Sequence, residues 1–147
     1  MATGLQLHIP KEDYSDLDSP VPPELASLAQ TLDQSRELLE LADDWDEQGS
    51  PGYQEATLKR ARHVVWTNTL RLWEALKLSI DVPRVLPGPD GSIDIHWKHG
   101  QRQLFVNVPA DGDKPATYYG DDRSQNVVKG SLDTSAQQEW LLLWLTK

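Results

Sequence analysis

Between Pro89 and Asp122 apolar and polar residues alternate with a period of two, and that pattern limits the folds open to the chain. Ile93, Ile95 and Trp97 fall on one side of an extended backbone, with Asp94, His96 and Lys98 on the other. Such alternation marks a strand with one dry face and one wet face. Pro89-Asp90-Gly91 opens the strand, and His99-Gly100 closes it at a turn where glycine takes positive φ freely. Leu104, Val106 and Val108 repeat the pattern in a second strand, and Tyr118 and Tyr119 anchor a third. Arg84-Val85-Leu86 reads as a strand ahead of these, and Val127-Val128 as a weak one behind them. The expectation is an antiparallel meander of three to five strands whose dry face other elements must cover.

Helical patterns flank the meander. Pro22-Pro23 suits a helix start, and Leu25, Leu28, Ala29, Leu32, Leu39 and Ala42 form one stripe, which predicts a helix over about 23–43. Gly49, Pro51 and Gly52 then break it. Ser50-Pro51 has the look of an N-cap with proline at the first helical position. A second helix is predicted over about 53–79, with Leu58, Ala61, Val65, Leu72 and Leu76 buried. Trp66, Leu70 and Trp73 give it a second apolar strip, so it should be covered on two sides. Thr134 and Gln137 have capping-box spacing and predict a last helix over 134–146. The predicted fold is α+β: an N-terminal helical hairpin packed on the meander and closed by a C-terminal helix. Residues 23–147 form one domain, and residues 1–22 read as a flexible acidic arm, with Leu5, Leu7 and Ile9 as an alternative short edge strand.

Charge narrows the function. The 147 residues carry 23 acids against 14 Lys and Arg, a net charge of -9, which disfavours direct nucleic-acid binding. An acidic surface suits a basic partner, or mimics a nucleic acid in a basic groove. With no cysteine there is no disulfide framework and no thiolate, as suits a reducing cytoplasm. No apolar run approaches the ~18 residues of a membrane span, and the first residues lack the apolar core of a secretion signal. No membrane or cofactor is expected.

Catalytic patterns are missing. Gly88-Pro89-Asp90-Gly91 joins strands and is not a phosphate loop, and no serine sits in a nucleophile motif. Asp94, His96 and His99 are the nearest approach to a metal set, but His99 lies in the turn and no further ligand completes it, so a solvated strand face is the better reading. Trp45 and Asp46 read as a loop closure, with the indole against the helix ends and the carboxylate on loop amides. The binding candidates lie elsewhere. Phe105, Tyr119 and His96 share the wet face with Asp94, Lys98, Gln103, Asn107 and Thr117, and aromatics there resemble interface anchors unless the last helix covers them. Trp140 and Trp144 belong to a segment apolar almost all round, which completes the core, meets a partner or forms a homodimer. Asp43 and Asp44 are candidates for steering a basic partner.

Trp45-Asp46-x-x-Gly49, Ala61 in the next helix, Pro83, Asp90-Gly91-x-Ile93-x-x-x-Trp97 and Tyr118-Tyr119 together resemble a scattered group of small, mostly uncharacterised bacterial proteins. The resemblance spans roughly residues 38–120. It implies a bacterial cytoplasmic accessory role in a toxin–antitoxin, phage or defence setting, and no catalytic residues. The expected function is a non-catalytic protein-binding module that covers a partner's surface; the alternatives are an acidic nucleic-acid mimic and a structural subunit of a homo-oligomer.

Overall fold

A computed structural model of the chain describes residues 21–147. It is α+β, with a five-stranded antiparallel sheet and helices on its apolar face. The strands are β1 (Arg84–Pro87), β2 (Ile93–His99), β3 (Arg102–Val108), β4 (Ala116–Asp121) and β5 (Val127–Leu132), and spatial order equals sequence order. Each consecutive pair is joined by a short connection, the simplest route for antiparallel strands. The helices are α1 (Ala26–Gln34), α2 (Glu55–Leu76) and α3 (Trp140–Leu145).

Register sorts the side chains. Ile93 pairs with Val108, Ile95 with Val106 and Trp97 with Leu104, and all six are buried. Ala116 and Leu132 extend that face across β4 and β5. The face is roofed by α2, which packs on β2 and β3, with α1 and α3 on its flanks. Because it is walled on several sides, α2 buries Leu58, Ala61, Val65, Trp66, Leu70 and Leu72, and polar residues such as Thr67 and Asn68 as well. The core runs without a break from Val21 to Leu145.

Several boundaries differ from the sequence expectation, each for a local reason. The first helix, expected over 23–43, is interrupted. A 3₁₀ turn (Pro23–Leu25) leads into α1, and another 3₁₀ stretch (Ser35–Glu40) follows it. At the junction the Ser35 hydroxyl donates to the Leu32 carbonyl, a local bond that competes with the helical ladder. The second helix does not start at Ser50-Pro51. Ser50 Oγ donates to Asp46 instead, and α2 begins at Glu55 without a side-chain cap. It ends where Lys77 turns left-handed, so Leu76 is 52% exposed rather than buried.

The last helix is much shorter than 134–146. Asp133 accepts bonds from the Ser135 N–H and hydroxyl, which makes a turn at the position expected for a helix start. The Gln138 N–H then donates to Asn68 Oδ1 on α2 at 2.8 Å, and only Trp140–Leu145 is helical. The weak strand at Val127-Val128 is a full one, paired with β4 from Val127 to Leu132. Val21 is buried, so the core begins just inside the expected arm; the edge strand considered for Leu5, Leu7 and Ile9 lies outside the described residues.

Trp144 fixes α3 against the sheet. Its ring lies over Gly120, where an added Cβ would come 2.9 Å from Cζ3 and 3.1 Å from the Gln103 carbonyl oxygen. Arg102 stacks on the other part of the contact, 4.6 Å from the ring centroid, and donates to the Trp144 carbonyl. Gly120→Ala should therefore overpack this contact and lower the unfolding free energy by about 1–3 kcal/mol. The denaturant midpoint measures that loss, and adding Trp144→Leu should recover part of it.

Candidate functional site: the open face of the sheet

The side chains that point away from the helices line up across the strands. The middle row runs Arg84, His96, Phe105, Tyr119, Lys129, each directly opposite the next. One flanking row holds Leu86, Asp94, Asn107, Thr117 and Ser131; the other holds Lys98, Gln103, Asp121 and Val127. α3 does not cover this face, since Leu141 and Leu142 lie with Trp97, Leu104 and Val106 on the opposite side. Phe105 is 38% and Tyr119 43% exposed.

The aromatic row is ordered by its neighbours. The His96 and Phe105 rings stack 4.1 Å apart and within 4° of parallel. His96 Nε2 lies 3.2 Å from Gln103 Oε1, and the Gln103 amide nitrogen faces the Asp121 carboxylate at 3.3 Å. With the Gln103 nitrogen donating to Asp121, its oxygen must accept, which places the His96 proton on Nε2. In the next row Asn107 donates to Asp94 Oδ1 at 2.7 Å and to Ser92 Oγ at 2.9 Å. The polar residues thus bond to one another, while the outer surfaces of the Phe105 and Tyr119 rings stay open. Arg84, Lys98 and Lys129 stand on this face against Asp94 and Asp121, so its local charge differs in sign from the chain's. Arg84 and Lys129 escaped sequence reasoning because their strands had no fixed register; two cations bracketing an aromatic row appear only once β1 and β5 are paired.

Of the residues singled out in sequence, the fold brings together His96, Phe105 and Tyr119. Trp144 is held on the helical side by Gly120 and Arg102. Trp140 is on the same side, 49% exposed, with its ring edge-on to Tyr118. Asp94 and His96 keep the neighbours just described, and His99 Nδ1 faces Asp81 at 3.6 Å. Among the described residues no group of three or more potential ligands converges on a metal position. No helix among them is long and apolar enough to cross a membrane.

Asp43 and Asp44 sit in a loop that is bound to itself. Asp43 accepts the Gly52 N–H and Asp44 the Gly49 N–H. Trp45 Nε1 donates to the Pro51 carbonyl at 3.2 Å, and its ring tilts against Tyr53. Asp46 takes the Ser50 hydroxyl and the N–H groups of Gln48 and Ser50. These carboxylates satisfy backbone donors that the irregular path of 43–52 leaves without ladder partners. The Ser50 hydroxyl first, and the loop amides after it, hold the Asp46 carboxyl below its ordinary value. Burial, and behind it the charges of Asp46 and Asp94, pushes the Tyr53 phenol up; that hydroxyl donates to the Gly88 carbonyl and ties the loop to the end of β1.

Compared with known proteins, the chain matches no family model, no curated protein and no solved structure.

A carboxyl whose folded pKa is depressed favours the folded loop above its unfolded pKa and loses that effect as pH falls through the folded value. The Gln48 and Ser50 amides should therefore be protected at neutral pH, and lose that protection, measured against the intrinsic exchange rate at each pH, once Asp46 is protonated in acid. In Asp46→Asn the protection of both amides should be low at neutral pH and change little on acidification, as hydrogen-exchange NMR referenced to intrinsic rates would show.

Proposed function

We propose that this chain is a non-catalytic protein-binding accessory module, of the antitoxin, immunity or defence-associated kind, that covers a partner's surface with the open face of its sheet. The observation that carries the reading is the Phe105–Tyr119 pair, half exposed at the centre of a five-strand face that α1, α2 and α3 leave open. Aromatic rings in the middle of a contact, ringed by polar groups that already bond one another, are the arrangement that anchors protein interfaces. His96 belongs to the anchor through its stack on Phe105. In this reading the N-terminal helices act as a hairpin and the C-terminal helix as its closure, so that the sheet is a rigid plate whose face is preorganised for contact.

The net charge of -9 acts at longer range and steers a basic partner toward the module, and exposed Asp43 and Asp44 add to that field although their oxygens serve the loop. At contact, Arg84 and Lys129 at the ends of the row ask for acids on the partner's rim. In this proposal the accessory setting is taken from the sequence resemblance described for the Trp45-Asp46 and Asp90-Gly91 region.

Phe105→Ala/Tyr119→Ala should keep the circular dichroism of the parent and melt cooperatively at a somewhat lower temperature, because both rings are on the wet face and what is lost is the His96 stack and the cross-strand pair. As immobilised bait in lysate of the source cells, the double variant should lose any species that the parent holds, with affinity reduced about tenfold or more. Equal retention by parent and double variant would remove the sheet face from the account. Raising the salt concentration should slow association far more than it speeds release.

A further inference from the structure

The sheet has two unlike edges. β1 is only four residues long, is bounded by Pro83 and contains Pro87, and packs beside α1 and the 3₁₀ stretch Ser35–Glu40. Proline has no N–H to offer an incoming strand, so that edge is blunted. β5 is six residues long and carries no proline, and Val127, Lys129, Gly130 and Ser131 are exposed.

The ladder fixes which backbone groups of β5 are open. The Asp122 N–H donates to the Asn126 carbonyl at the turn, and β4 and β5 continue from there in the register Asp121↔Val127, Gly120↔Val128. Hydrogen-bonded and non-bonded pairs alternate in an antiparallel ladder. Val128, Gly130 and Leu132 therefore bond to β4, while the N–H and C=O groups of Val127, Lys129 and Ser131 point away from the sheet. Their side chains stand on the open face, in rows with Asp121, Tyr119 and Thr117.

The two sides of this edge are also prepared. On the helical side Gly130 has no side chain, and Tyr118 lies across it: a Cβ there would come 2.8 Å from the Tyr118 hydroxyl. Trp140 meets Tyr118 edge-on at 5.9 Å and 84°, and remains 49% exposed. An apolar flank thus reaches the rim on one side, and Lys129, next to Tyr119, presents a cation on the other.

We propose that β5 is a strand-addition site, and that its occupant is an extended segment of the partner carrying an acidic residue opposite Lys129. Main-chain bonds to Val127, Lys129 and Ser131 hold the added strand, and alternate side chains select it. The residue opposite Val127, two places from the acid, is apolar. The residue opposite Gly130 points to the helical side and covers Tyr118 and Trp140. A second copy of this chain fits less well, because the central antiparallel register would set Lys129 against Lys129, and like charges directly opposite repel. The inference rests on the protein-binding reading and adds to it the form and chemistry of what binds.

The test uses the full chain and a phage-displayed library of random eight-residue peptides. Enriched peptides should alternate, with Asp or Glu two positions from an apolar residue. On binding a synthetic copy, the amides of Val127, Lys129 and Ser131 should become protected from exchange, while those of Val128 and Gly130, already bonded to β4, should not change. Lys129→Pro removes the central outward N–H without touching the bonds to β4 and should cost tenfold or more in affinity; melting curves check its fold. Lys129→Glu keeps every N–H and should turn the acidic preference into a basic one. Lack of enrichment, unchanged exchange at Val127, Lys129 and Ser131, or parent-level binding of the acidic peptide by either Lys129 variant would overturn the proposal. Those failures leave the Phe105→Ala/Tyr119→Ala result standing, so the two readings fall separately.

Discussion

The burial of β2 and β3 beneath α2 is the contact from which the other elements take their places. Trp97, Ile95, Val106 and Leu104 on the sheet and Val65, Trp66 and Leu58 on the helix are all nearly free of solvent. A tryptophan alone removes roughly 150–250 Å² from water. A helix buried over so much of its circumference needs walls on more than one side, and the segments before and after it in the chain supply them. With the helices gathered on one face, the other face of the sheet is left to solvent, which an antiparallel sheet tolerates because its outward residues can be polar.

How much of this could be read from sequence depends on how local the cause is. β2 and β3 are plain because each carries its own period-two pattern and their turn has its own glycine. The alternation even assigned Phe105, Tyr119 and His96 to one side. β5 was nearly invisible: Lys129-Gly130-Ser131 shows no alternation, and what suits Gly130 to its place is Tyr118, from another strand, lying over it. The cations that bracket the aromatic row depend on the same register, so they could not be found before it.

The helix ends show the opposite failure, where residue types matched a rule and the geometry followed a competitor. Ser50-Pro51 and Thr134-x-x-Gln137 both have the composition of a helix start. In each case a nearby aspartate, Asp46 or Asp133, captures the serine beside it and turns the chain before a helix can begin. The acids of 43–46 likewise bond the amides of their own loop. Spacing alone does not distinguish an acid that bonds its neighbours from one offered to a partner.

The contrast between the two borders of the sheet has a consequence for stoichiometry. A plate that could be lengthened at both ends would risk growing without limit, one copy stacking onto the next into a fibre. Here the prolines beside and within β1 stop growth on that side. Copies of this chain therefore cannot add head to tail, β5 onto β1, and open-ended growth by that route is disfavoured.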